Sequence, residues 1–468
     1  MEFNCENNLE TTEQCPQNGS NKNVATEVTT DNMNTNAIVE SEFTRVNVES
    51  LGSAVRKVDE DETTGLELFC YVRCSPTDEG LIRQCRGVVF HKQEVVMKAF
   101  PYTVEYNNNE REKIDENITS VFNECSFYQA QEGALIRMFN FGGKWYTSTH
   151  RKLDAFRSKW ASRESFGSSF KKALEQEIST NTALREALPE GVNVLERFQS
   201  ILDPEKQYMF LVRNTFKNRI VCYPPENPTL YHVGTFVNGN LVMTEDIHIP
   251  YPLKLDFNNV SDLLDYVSNI DPIVLQGVIV FAPQNKQYKI LHKDYQDLFR
   301  ARGNEPSIKF RYLQVRMNRK HTAMLYHLYP EEVETFDQYE NTLYEISKSI
   351  YRSYVQRFLM KRYVSVPREE FAVIRDCHSW HLKNREENKI SQEKIIEVLN
   401  QQSPTNLNKM IRRFNTEQAS HNNIQNTRTR SNSMTSNKSA ESPAVSGVTP
   451  TLVPLLQRNN AEIPPLNL

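Results

Sequence analysis

The residues able to do chemistry sit at the edges of short apolar runs in the first two thirds of the chain. In order they are Arg86-Gly87-Val88-Val89-Phe90, Ala99-Phe100-Pro101-Tyr102, Glu132-Gly133-Ala134-Leu135-Ile136-Arg137 and the basic, hydroxyl-rich stretch from Lys144 to Lys152. Then come Phe210-Leu211-Val212, Asn218-Arg219-Ile220-Val221-Cys222-Tyr223, Gln276-Gly277-Val278-Ile279-Val280 and Lys289-Ile290-Leu291. Taken singly, Arg137 or Lys144 reads as a solvated hairpin residue and Glu132-Gly133 as a strand entry. The order of the whole set is what carries information.

A second set is purely electrostatic. Lys309, Arg311, Arg316, Arg319 and Lys320 place five cations in twelve residues, interleaved with Phe310 and Tyr312. Phosphate neutralisation with aromatic stacking would make this an RNA contact; a solvated helix face would look the same. Cys377, His378 and His381 lie close together, but Trp380 between them and the lack of a His-Glu-x-x-His pattern favour helix packing, so no metal site is expected. Gly-x-Ser-x-Gly, Walker and Rossmann glycine patterns are absent from the sequence, which removes the motif basis for hydrolase, P-loop kinase and dehydrogenase readings.

The elements that must position these residues change along the chain. Strand-and-turn sequence runs from about 65 to 300: Leu66–Cys74, Gly87–Phe90, Leu135–Phe139, Lys144–Ser148, Tyr208–Arg213, Arg219–Tyr223 and Val274–Phe281 are rich in Val, Ile, Tyr and Phe and bounded by Gly, Asn and Pro. Asn140-Phe141-Gly142-Gly143 reads as a hairpin turn. A helix is expected over Ser165–Ile178 from Phe166, Phe170 and Leu174, with Lys152–Ala161 leading into another before it. Beyond Pro330 the period becomes helical: Phe336, Tyr339, Leu343, Ile346 and Ile350 share one face, a second helix begins near Arg368 after Pro367, and a third, Gln392–Leu399, is capped by Ser391.

Composition bounds the class. The chain has 468 residues with 55 Lys plus Arg against 59 Asp plus Glu, so any polyanion contact must be a local patch. Apolar runs are too short to span a bilayer, no leader-like apolar stretch follows Met1, and the eight cysteines are scattered without a Cys-x-x-Cys pair. An intracellular, cytoplasmic protein with free thiols and no membrane contact is therefore expected. Residues 1–45 form an acidic, disordered segment, 46–305 an α+β core, 306–415 a mainly helical domain and 416–468 a polar, disordered tail.

Taken in order, the segments of the core resemble the covalent nucleotidyltransferase motifs of ATP-dependent RNA ligases, closest to the T-even phage type. They are also similar to the RNA ligase proteins of large cytoplasmic DNA viruses, which share the Ser148-Thr149-His150-Arg151-Lys152-Leu153-Asp154-Ala155-Phe156 stretch. The resemblance covers roughly residues 65–300. It implies a ligase-like core of antiparallel sheets flanking a nucleotide cleft, ATP and Mg²⁺ if the protein is active, RNA as partner, and an infected-cell cytoplasm as setting. A lysine amine of the nucleophile motif would attack the α-phosphorus of ATP.

The resemblance places Arg86, Gly87, Glu132, Gly133, Arg137, Arg151, Arg213, Gln276, Gly277 and Lys289 at the nucleotide, with Lys152 also phosphate-facing. It puts the expected lysine at Ala130, an apolar Leu211 or Val212 where the third motif has an acid, Gln276 in place of the fourth motif's acid, and Leu291 where a second lysine follows Lys289. Two readings stand. Either the fold has lost covalent chemistry and serves as a nucleotide- or RNA-binding module, or a lysine from elsewhere fills the pocket, with Lys98, Lys144 and Lys152 as candidates.

Overall fold

The computed structural model describes residues 43–98, 100–191, 193–213 and 219–432, with side chains as far as 420. The acidic segment up to Glu42, Ala99, Asn218 and the tail beyond Asn432 lie outside the described residues. Its first compact unit ends at Asp297 and its second begins at Leu298.

The first unit is built on strands β1 (Val55–Asp61), β2 (Leu66–Tyr71), β3 (Arg86–His91), β4 (Glu94–Met97), β5 (Val104–Asn107), β6 (Ser126–Ala130), β7 (Ala134–Phe141), β8 (Lys144–Ser148), β9 (Gln207–Arg213), β10 (Thr229–Val237), β11 (Asn240–Val242), β12 (Lys254–Leu255), β13 (Gly277–Ala282) and β14 (Lys286–Leu291). They form three sheets, ordered β1-β2-β3-β4, β11-β10-β9-β7-β8 and β12-β6-β13-β14-β5. Every pairing is antiparallel except β14 with β5. The expected hairpin joins β7 to β8, with Gly142 and Gly143 both at positive φ, as a two-residue turn that follows the strand twist requires.

Alternation within the strands sorts their side chains into separate cores. Tyr128, Phe139, Tyr146, Met209 and Phe281 pack with Leu66, Leu68 and Val89 between the sheets. On the opposite face of β6, β13 and β14, Phe127, Val278, Val280, Tyr288 and Ile290 pack under two helices, Arg111–Ile118 and Val260–Asn269. The second helix buries Val260, Leu263, Leu264 and Val267, an i, i+3, i+4, i+7 stripe in which each side chain contributes about 1.5–3 kcal/mol. Ser165 caps the helix Phe166–Thr180 by accepting the Ser168 N–H at 3.1 Å, and its Phe166, Phe170 and Leu174 are buried as their spacing required. Lys152–Ala161 holds only the 3₁₀ turn Ala155–Arg157, not the start of a helix.

The regular structure of the second unit's described residues is all helical and includes Ile308–Val315, Arg319–Leu328, Val333–Tyr354, Arg368–Lys383, Gln392–Asn400 and Pro404–Asn432. Phe336, Leu343, Ile346 and Ile350 form the buried face of Val333–Tyr354. The final helix runs past residue 416 into sequence read as tail. In every described part, no helix is long and apolar enough to cross a membrane.

Candidate functional site

Register defines the face on which the motif residues meet. Ala130 at the end of β6 is paired with Gly277 of β13, which is paired in turn with Leu291 of β14; two residues along, Tyr128, Ile279, Lys289 and Glu105 are aligned in the same way. Directly paired residues point to the same side of a sheet, so Ala130, Gly277, Leu291 and Lys289 share one face. Gly277 lies at φ +152°, and a Cβ there would sit 2.0 Å from the Ile290 carbonyl oxygen. Only glycine lets the three strands close at this point. Gly133 is similarly confined, its Cβ position 2.6 Å from the Val212 carbonyl oxygen, and Leu211 packs against it.

Glu132 is occupied. Its carboxylate accepts the backbone N–H groups of Ile220 (2.8 Å), Val221 (3.0 and 3.2 Å) and Cys222 (3.1 Å), and the Tyr295 hydroxyl at 3.2 Å. This corrects the expected strand at Arg219–Tyr223. The segment is irregular because a carboxylate, not a neighbouring strand, satisfies its amides. The negative charge of Glu132 adds to burial in pushing the Cys222 thiol pKa well up. Next to it, Gln276 is buried; its Nε2 donates to the Gln131 carbonyl oxygen at 2.7 Å, while its Oε1 is buried without a hydrogen-bond partner among the described residues.

The arginines converge at the other end of the motif series. Arg137 is fully buried and donates to the carbonyl oxygens of Gly87 and, at 2.6 Å, Thr149. It thereby ties β3 to the end of β8. Gly87, at φ +75°, permits this approach, since a Cβ there would lie 2.6 Å from the His150 Cα and 2.8 Å from Arg137 Nη1. Burial, with repulsion from Arg86, pushes Arg137 down to about 9. Burial and then the charges of Arg86, Arg151 and Arg137 hold His150 well below the ordinary imidazole range, so its ring is neutral. Arg137 Nε and His150 Nε2 are buried without a hydrogen-bond partner among the described residues. Arg213 lies apart from this group, its guanidinium donating to the Tyr223 carbonyl oxygen at 3.0 Å.

Two of the candidate lysines, Lys144 and Lys152, face carboxylates. An attacking amine must be neutral, which calls for desolvation or a neighbouring cation. Lys98 lies with Nζ 4.5 Å from the Phe43 ring centroid. Lys144 is exposed and paired with Asp61 at 2.8 Å, and that hydrogen bond raises its pKa. Lys152 is 3.5 Å from Asp59, which also accepts from Arg157 and the Leu153 N–H. Lys289 is paired with Glu105 at 3.4 Å. Sequence reasoning missed Asp59, Asp61, Glu105 and Tyr295 because each acts on a partner far away in the chain, where no local spacing signals it.

The five cations of 309–320 are dispersed. Lys309 faces Glu332 at 3.5 Å, and Arg311 donates to the carbonyl oxygens of Ala301 and Arg300 at 2.9 and 2.8 Å. Arg316, which looked like part of a surface patch, is a core residue paired with Glu340 at 2.5 Å and with Asn400 at 2.6 Å. Arg319 and Lys320 are exposed in the first turn of a helix capped by Asn318. Cys377 is buried and the His378 ring stacks on Phe358, centroids 4.0 Å apart. No cluster of metal-ligating side chains occurs among the described residues.

No family model matches the chain. Curated relatives do. It is 30% identical over 394 residues to an immediate-early protein ICP-46 homologue of Invertebrate iridescent virus 6, covering 76% of this chain and 83% of the relative. The chain belongs to the ICP-46 homologue family. A second homologue, from Invertebrate iridescent virus 3, is 30% identical over 351 residues, covering 72% of this chain and 74% of its own length. Immediate-early protein ICP-46 of Frog virus 3 is 25% identical over 255 residues, covering 52% of this chain and 62% of its own. Among solved structures, this ICP-46 family chain is similar to a protein assigned as an ATP-dependent DNA ligase from Aquifex aeolicus (13% identity, TM-score 0.36, 76% of this chain and 87% of that one) and to an archaeal ATP-dependent RNA ligase (10% identity, TM-score 0.34, 61% and 77%).

Proposed function

We propose that this ICP-46 family chain is a ligase-like protein that binds nucleotide or RNA and does not form a lysyl-nucleotide intermediate. One observation carries the reading: the position expected of the nucleophile is Ala130, buried at the end of β6, while the candidate lysines Lys144 and Lys152 are paired with the carboxylates of Asp61 and Asp59. Support for the ligase-like core is the ordered motif set and its placement on antiparallel sheets, with Gly277 and Gly133 at close strand approaches. Arg86 and Arg151 are the groups we assign to phosphates, with buried Arg137 and neutral His150 fixing their surroundings. The relatives' names suggest action early in infection, and we place the protein in the infected-cell cytoplasm.

The competing reading is an RNA ligase using ATP and Mg²⁺ with a relocated lysine. There the lysine nitrogen would lose a proton and bond to the α-phosphorus while the bond to pyrophosphate breaks, pyrophosphate leaving. Incubation of the protein with radiolabelled ATP or GTP and Mg²⁺ separates the two. Nucleotide or RNA binding with no acid-stable label on the protein is the result expected. A label that persists in Lys98→Ala but disappears in Lys144→Ala or Lys152→Ala would overturn the proposal and locate the nucleophile.

A further inference from the structure

The helical unit carries a second electrostatic feature that the 309–320 patch concealed. Between Tyr351 and Arg368 lie Arg352, Arg357, Lys361, Arg362 and Arg368, with no acid in the interval. All five are exposed, and none forms an ion pair among the described residues. This contrasts with Lys309 and Arg316, whose charges are matched within the protein. The acids that follow, Glu369 and Glu370, face Arg413 at 3.3 and 3.7 Å rather than these cations.

The backbone displays the same segment. The helix Val333–Tyr354 widens into a π turn over Val355–Leu359, Lys361 adopts φ +52°, and residues 361–367 have no regular structure before the next helix begins at Arg368. Tyr363 is 92% exposed, the highest value among the large apolar and aromatic side chains described, and Leu359 and Met360 beside it are 67% and 55% exposed. A tyrosine turned fully into water beside unmatched cations gains nothing for the fold. It offers a ring face on which a base can stack.

We propose that the segment 352–368 is a docking surface for single-stranded nucleic acid, with Arg357, Lys361 and Arg362 neutralising successive phosphates and Tyr363 stacking on an unpaired base. A lipid surface is the less fitting occupant. Residues 361–367 form no helix, so they present no amphipathic helical face of the kind that lies in a bilayer interface. The proposal rests on the RNA-binding part of the function argued above and names a surface for it; it needs neither nucleotide binding nor catalysis, so failure to bind ATP would leave it standing.

The test is fluorescence anisotropy of the full chain with a labelled oligouridylate RNA, titrated from about 50 to about 200 mM salt. Each phosphate contact to a single strand contributes a slope of about −0.7 to log K against log salt, so the triple variant Arg357→Ala, Lys361→Ala, Arg362→Ala is expected to flatten the slope by about 2. Tyr363→Ala should weaken binding about five- to hundredfold at an unchanged slope, and Tyr363→Phe should restore it. A control triple on the other unit, Arg163→Ala, Lys171→Ala, Lys172→Ala, should leave the slope as in the wild type. The proposal is overturned if the wild type does not bind the oligonucleotide, if the triple variant keeps the full slope, or if Tyr363→Ala binds normally. It is equally overturned if the variants abolish binding to phosphatidylserine vesicles while RNA binding is retained. Because every changed side chain is exposed, loss of folding would show as a lowered thermal midpoint and is checked alongside.

Discussion

The carboxylate of Glu132 bridges the backbone amide of Val221 with both of its oxygens, at 3.2 and 3.0 Å, and takes the flanking amides of Ile220 and Cys222 as well. An anion held by three consecutive N–H groups fixes the path of residues 220–222 as firmly as a strand ladder would. Hydrogen bonds to a charged acceptor contribute about 1.5–3 kcal/mol each, and removing the acceptor strands the donors. Glu132→Gln replaces one accepting oxygen with an NH₂ group facing N–H donors. The expected cost is about 2–3 kcal/mol in urea unfolding, together with loss of amide-exchange protection at Ile220, Val221 and Cys222. Unchanged protection at those three amides would show that the carboxylate is not what orders the segment.

The ion pair of Arg316 with Glu340 makes a sharper distinction between core and surface cations. Both side chains are buried, and Tyr312 donates to the same carboxylate at 3.0 Å. Arg316→Met leaves Glu340 buried and unmatched, at a cost of about 3–5 kcal/mol. Changing both, Arg316→Met with Glu340→Met, should recover most of that stability, because replacement of a buried pair by apolar groups of similar volume is close to neutral. In the same preparations the salt slope of oligonucleotide binding should not differ from the wild type. A flattened slope in the double variant would return Arg316 to the nucleic-acid surface.

These two cases show what the sequence could and could not convey. Periodicity located the helices at 165–178, 336–350, 368 onward and 392–399, and the Gly142-Gly143 hairpin, because those signals are local: apolar spacing, a capping serine and glycine at positive φ. Arg219–Tyr223 misled as a strand because its composition is strand-like while the amides of Ile220, Val221 and Cys222 are claimed by Glu132, 88 to 90 residues earlier in the chain. Arg316 looked solvated because nothing near it announces Glu340. Tyr363 was overlooked for the opposite reason: its surroundings have no period, so only its exposure reveals it. The motif order was visible in the chain, but the pairing of Lys144 and Lys152 with Asp61 and Asp59 depends on long-range geometry.

His232 supplies a pH dependence whose sign follows from its burial. The ring is fully buried in β10, with Nε2 2.8 Å from Thr235 Oγ1, and burial pushes its pKa down from 6.5 to about 4. The Gly234 backbone and then the charges of Glu245 and Asp246 oppose this without reversing it. Between those two pH values the unfolded chain binds a proton that the folded chain does not, so stability rises with pH across the interval. His232 therefore contributes fully above about pH 6.5, and its contribution falls by about 3 kcal/mol as pH drops to 4. Urea midpoints measured across that range should decline, and His232→Gln should flatten the decline. An equally steep profile in the variant would assign the acid sensitivity to other groups.

Gln276 tests whether the cleft can accept charge. Its Nε2 donates to the Gln131 carbonyl oxygen, and the environment is closed to water. Gln276→Glu removes that donor and sets a carboxylate against a carbonyl oxygen, a repulsive contact unless the acid is protonated or a cation enters. Without divalent metal the variant should lose about 1–3 kcal/mol of stability and regain part of it on acidification, since protonation restores a donor toward Gln131. If the face shared by Ala130, Gly277 and Lys289 holds metal-nucleotide, Mg²⁺ with ATP should raise the thermal midpoint of the variant more than that of the wild type. Equal shifts in the two proteins would mean that nucleotide, if bound, lies away from Gln276.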